Sequence, residues 1–142
     1  MVLEVGPGIG SQLSRYDTSK ITKVYGVEPN SDLHKSLREK VKACGLTDVY
    51  EIVPCSIEDV VELEKYGIAL GSIDTVLSIQ VLCSVPDPDK ILRLFYALMK
   101  PGGQFVVFEH VKSKDVVSRI VQSMFVLSPY SCAVGMVADV ES

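Results

Sequence analysis

The first ten residues, MVLEVGPGIG, constrain the fold more than any other stretch of the chain. An apolar run from Met1 to Leu3 reaches an acidic residue, Glu4, and then a loop with glycine at Gly6, Gly8 and Gly10. A short buried strand that ends in such a turn lets a ligand approach the backbone, because glycine carries no Cβ. The helix start that follows offers unpaired N–H groups to the same ligand. The pattern also fits a plain tight turn, so the rest of the chain has to decide between the two.

After Gly10 the stretch SQLSRYDTSK leaves room only for a short helix. A strand is predicted at 23–28, stopping at Glu28-Pro29-Asn30. Over 31–44, Leu33, Leu37 and Val41 recur on one face of a helix that Asn30 or Ser31 caps and Gly45 stops, which puts His34 on the exposed side. A third strand follows at 49–53, then a short acidic helix at 57–66. TVLSIQV reads as a continuous apolar strand at 75–81. Pro88 or Asp89 opens a helix with Ile91, Leu94, Phe95 and Leu98 as its apolar stripe. Pro101-Gly102-Gly103 closes that helix, and QFVVFEHV is a fifth strand at 104–111. Strands that alternate with helices and read as apolar runs predict an α/β fold, a doubly wound sheet of about five parallel strands covered on both faces.

A chain of 142 residues fits one domain, and a net charge of −4 argues against nucleic acid as a partner. The cysteines, Cys44, Cys55, Cys83 and Cys132, form no C-x-x-C pair. That suggests neither a metal site nor a disulfide framework, and it favours a reducing, cytoplasmic setting. No charged residue occurs from Ile120 to Ala138, so association with an endomembrane has to be weighed. Gln122, the serines and Pro129 count against a membrane segment, and the tail at 121–142 is read as covering a sheet edge or as disordered.

Ligands of such sheets bind at the carboxyl ends of the strands. Here those ends are Glu4-Val5-Gly6, Glu28, Ser56-Ile57-Glu58 and Ser78-Ile79-Gln80. Glu28 is placed to accept hydrogen bonds from two ribose hydroxyls, with a solvated loop carboxylate as the alternative. A dinucleotide needs Gly-x-Gly-x-x-Gly. In this chain the third glycine comes one residue early, at Gly10, and Ser11 takes the sixth position. Glu4 would also repel a pyrophosphate. It suits a ligand with an ammonium group and no phosphate, and S-adenosylmethionine is such a ligand.

With these residues in place the chain resembles the class I S-adenosylmethionine-dependent methyltransferases, in the small-molecule branch with the methyltransferase type 11 domain. VLEVGPGIG looks like the first motif and VYGVEPN like the acidic motif of the second strand. IDTVLSIQVLCSVPDPDKIL and LMKPGGQFVVFEHV look like the later motifs. The likeness covers roughly residues 1–120, and it is greatest to proteins related to thiol methyltransferases. It implies a Rossmann-like core in which Gly6, Gly8 and Gly10 wrap the methionine part of the cofactor, with Glu4 near its ammonium. It further implies Glu28 on the ribose, Ser56 and Ile57 beside the adenine, and Ser78 beneath the sulfonium. The family often has Asp-Ala where this chain has Ser56-Ile57, which weakens one adenine contact. The family also has a helix before the first strand and an antiparallel hairpin after the fifth. Their absence from the motif pattern suggests a chain truncated at both ends, with strand 5 an uncovered edge.

The implied reaction is methyl transfer to a small thiol, quinone or lipid-like acceptor. An in-line displacement depends on alignment, with an optional base to take the acceptor's proton. His110 is the one candidate base, and Cys83 reads as a small buried hydrophobe. Two alternatives stay open: a non-catalytic binding module on the same fold, and an NAD-dependent oxidoreductase.

Overall fold

The computed structural model describes residues 1–110 and 133–139. Along the chain run β1 (Val2–Val5), β2 (Val24–Val27), α1 (His34–Ala43), β3 (Tyr50–Val53), α2 (Val60–Lys65), β4 (Ile73–Ile79), α3 (Pro88–Leu98), β5 (Met99–His110) and β6 (Ala133–Asp139). They form one sheet in the order β3-β2-β1-β4-β5-β6. The first five strands are parallel, as the alternating pattern predicts, and the order reverses between β1 and β4.

The sixth strand corrects the expectation of an uncovered edge. Ala133–Asp139 runs antiparallel to β5, pairing Gln104 with Asp139 at one end and His110 with Ala133 at the other. Part of the apolar tail therefore joins the sheet, where its backbone satisfies the N–H and C=O groups that β5 would otherwise present to solvent. The stretch VVSRIVQSMF at 116–125, a candidate helix after strand 5, and the uncharged stretch up to residue 132 lie outside the described residues. No helix among the described residues is long and apolar enough to cross a membrane.

Boundaries shift where local chemistry decides them. Asp59 caps α2 by accepting from the Glu62 N–H (3.1 Å), so that helix starts later than its acidic run. Asp87 caps α3 in the same way, with Pro88 in its first turn. His34 is the larger correction. Asn30 accepts from the Asp32 N–H, and a 3-10 turn at Ser31–Leu33 precedes α1. In the helix that follows it is His34, Leu37 and Val41 that turn inward. His34 is buried, and its Nε2–H donates to the Glu28 carbonyl (2.7 Å).

The strands divide their side chains between two cores. Leu3, Val5, Val27, Val53 and Val76 face α2 and α3, where Phe95 and Phe105 meet at 5.5 Å. Val24, Leu37, Val41, Leu46 and Tyr50 form the second core, under α1. The alternation that sends Leu3 and Val5 one way sends Glu4 the other, beneath this second core. Tyr50, on β3, reaches across β2 and donates its hydroxyl to Glu4 Oε2 (2.8 Å). It can do so because the residue it crosses is Gly26, where a Cβ would sit 2.1 Å from the Tyr50 oxygen.

Gly26→Ala should therefore break this hydrogen bond and destabilise the protein by about 2 kcal/mol or more through overpacking. Tyr50→Phe should cost about 1–3 kcal/mol. Urea denaturation of the two single variants and the double variant checks the geometry: the double should cost clearly less than the sum, because both changes remove one contact.

Candidate functional site

The site lies where the strand order reverses, at the carboxyl ends of β1 and β4. Two adjoining depressions open there. One, of about 260 Å³, is lined by residues that include Glu28, Ser56, Ile57 and Glu58. The other, of about 360 Å³, includes Glu4, Gly8, Ile9 and Leu33. Val5, Gly6 and Gln80 line both, so the glycine loop forms the saddle between them. Each depression has a carboxylate on its wall.

The loop's conformation follows from its glycines. Gly6 and Gly10 have φ of 60° and 84°, in the left-handed region that a Cβ disfavours. A Cβ at Gly6 would come 2.9 Å from Val81 Cγ2, and one at Gly10 would come 2.6 Å from Leu13 Cδ1. Gly10 thus packs the loop onto the core beneath it and lines neither depression, whereas Gly6 and Gly8 do. Only a three-residue 3-10 helix, Leu13–Arg15, follows the loop.

Glu28 is buried, yet both its oxygens are held. Oε2 accepts from the Gly8 N–H and Oε1 from the Asn30 N–H, each at 3.0 Å. A carboxylate oxygen has two lone pairs, so each keeps one acceptor site. The bond to Gly8 ties the end of β2 to the glycine loop, and His34 fixes the Glu28 carbonyl from the other side. Ser56 and Ile57 lie in the same depression, and Ser56 Oγ accepts from the Glu58 N–H (3.3 Å).

Glu4 is 2% exposed. Burial pushes its carboxyl above the ordinary value, and the neighbouring Tyr50 and Tyr16 hydroxyls draw it part of the way back. The same carboxylate and their own burial raise both tyrosines far above the usual phenol range. The Tyr16 hydroxyl is buried beside Glu4 but makes no hydrogen bond of good geometry.

Ser78 is placed differently from the strand-end residues around it. It is fully buried, lines neither depression, and donates to Glu109 Oε1 (2.8 Å). The residue at the saddle is Gln80, whose φ of 57° makes it the one described non-glycine residue with positive φ. Sequence reasoning placed Gln80 at a strand end without giving it a role, and it passed over Val81 and Glu109. Strand parity held the signal for Glu109, since Phe105, Val107 and Glu109 share a face that two apolar residues commit to the core. His110 ends β5, and its side chain lies outside what is described. Cys83 corrects the expectation of a buried hydrophobe: on the 3-10 turn after β4 it is exposed, with its thiol 3.6 Å from the Gln80 carbonyl.

The raised Glu4 sets a pH dependence. The folded state holds this proton more tightly than the unfolded state, whose value is the ordinary 4.5. Stability from this group is therefore fully present below the unfolded value and falls as pH rises through the folded one. Glu4→Gln cannot ionise, so its stability relative to the parent should improve between about pH 4 and about pH 7. Urea melts at both pH values check this, and a pH-independent difference would contradict it.

Comparison with known proteins places this geometry in a family. The model of the family described as "methyltransferase domain" matches residues 3–107. The human thiol S-methyltransferase TMT1A is 30% identical over 113 residues, covering 80% of this chain and 43% of that protein. A phosphatidylethanolamine N-methyltransferase from Cereibacter sphaeroides is 28% identical over 109 residues, covering 77% of this chain and 50% of its own. The chain thus spans half the length, or less, of these curated relatives. Among solved structures, a SAM-dependent methyltransferase from Aquifex aeolicus superposes with a TM-score of 0.63 at 21% identity, over 81% of this chain and 58% of that one. Strand order, the acidic end of β2 and the matched span agree: the chain belongs to the methyltransferase domain family.

Proposed function

We propose that the chain binds S-adenosylmethionine along the two depressions and serves methyl transfer to a small acceptor, a thiol or a lipid-like amine or hydroxyl. The observation that carries the reading is the pair of buried carboxylates on either side of the Gly6 saddle. Glu28, with one acceptor site left on each oxygen, suits a pair of ribose hydroxyls. Glu4 suits an ammonium group, and Ser56 and Ile57 border the space for an adenine. The donor set fits a ligand that is cationic at one end and carries a nucleoside at the other. A pyrophosphate would meet two carboxylates and, in the place of a helix, one 3-10 turn.

When bound, this cofactor supplies an activated methyl group on sulfur. The protein's part is alignment: the Gly6 saddle and Gln80 hold the junction of the two depressions. His110 stands as the candidate base for an acceptor that must lose a proton. The acceptor class rests on the relatives alone, one a thiol and the other a phosphatidylethanolamine methyltransferase by name.

Isothermal titration of the chain with S-adenosylmethionine and with NAD tests the cofactor. Binding of the first and not the second is expected, and Glu28→Gln and Glu4→Gln should each weaken it about tenfold or more, the loss of a hydrogen bond to a charged group. Preference for NAD would overturn the reading. A methyl-transfer assay against small thiols and phosphatidylethanolamine vesicles then separates an enzyme from a binding module and one acceptor class from the other.

A further inference from the structure

We infer that Glu109 is a positioning residue that sets the shape of the nucleoside-side depression by holding the loop after β4. The inference rests on the cofactor reading for what fills that depression, but its geometry stands independently. Glu109 is 6% exposed and lines neither depression. Its Oε1 accepts from the Ser78 hydroxyl and the Val81 N–H, both at 2.8 Å, and its Oε2 accepts from the Leu82 N–H at 3.2 Å. An ionised carboxylate offers acceptors only, so three donors can converge on it.

Two successive amides drawn onto one carboxylate define the turn immediately after Gln80, the residue forced to positive φ. Val81 is thereby set against Gly6, where a Cβ would meet its Cγ2 at 2.9 Å. The segment beginning at this turn supplies Gln80, Val81, Ser84, Val85 and Pro86 to the wall of the depression that holds Glu28. β6 fixes Glu109 itself. Pairing between β4 and β5 ends at Ile79 and Phe108, whereas pairing between β5 and β6 continues through Glu109 and Val134.

The test uses Glu109→Gln and Glu109→Asp in the full chain. Glutamine must turn a donor toward one of the amides, and aspartate keeps the charge but falls short by one methylene. Hydrogen exchange without ligand should be about tenfold faster or more at Val81 and Leu82 in both Glu109 variants, as expected when a hydrogen bond to a charged acceptor is lost. Affinity for S-adenosylhomocysteine and for adenosine, read by calorimetry, should fall together by about ten- to a hundredfold. Unchanged exchange at these amides in Glu109→Gln and Glu109→Asp would overturn the assignment. So would a loss of affinity no greater than that of Phe95→Leu, a core variant tested alongside for the effect of lowered stability alone. A parent chain that protects both amides but binds neither ligand would overturn the cofactor reading instead.

Discussion

The reversal of strand order between β1 and β4 is the constraint on which the rest of this structure depends. On either side of it the chain leaves the sheet in opposite directions, α1 covering one face and α2 and α3 the other. The carboxyl ends of the two central strands are left without a crossing connection. A crevice there is a consequence of topology rather than of any side chain. What the side chains decide is its floor. Gly6 leaves it open down to the backbone, Val81 leans on Gly6 from the β4 side, and Glu28 anchors the glycine loop from the β2 side through the Gly8 amide.

That crevice is walled or braced by three buried carboxylates, Glu4, Glu28 and Glu109. Burying a carboxylate is costly unless hydrogen bonds replace the lost water. The three meet this cost in two ways. Glu28 and Glu109 take backbone N–H groups, which are fixed donors that the loops must dispose of in any case. Glu4 takes a tyrosine hydroxyl that reaches it only across Gly26. With this weaker replacement, burial pushes the Glu4 carboxyl above its ordinary value. A group left poised in this way gains the most from a cationic ligand, since the ligand supplies the counter-charge that the fold withholds.

The parallel sheet, the helix stop at Gly45 and the acidic end of β2 were legible because short-range chemistry sets them. Apolar runs, glycine after a helix and a carboxylate before Pro29 act within a few residues. What escaped was set by partners far along the chain. Tyr50 meets Glu4 across 46 positions, and Ser78 meets Glu109 across 31. His34 looks exposed on a helix counted from Ser31, and only the 3-10 turn before it, with the Glu28 carbonyl waiting beneath, turns it inward. In the tail, β6 could be anticipated as edge cover, but its register could not, because an apolar stretch with little alternation does not specify which face lies inward.

The tail and the site are also mechanically linked. A strand held on one side only is free to fray beyond its last pair, and β4 stops supporting β5 at Phe108. Glu109 sits one residue further on, where its carboxylate has to meet three donors at once. The antiparallel partner on the outer side turns that overhang into a paired segment. The positive φ of Gln80 depends on the same support, because backbone strain persists only where surrounding contacts over-determine it. The Gln80 N–H bonds to the Phe108 carbonyl (2.8 Å), and the next two amides go to Glu109. Strain at the saddle, the carboxylate that restrains it and the strand that carries that carboxylate therefore form one chain of dependence, ending in a segment outside the matched family span of residues 3–107.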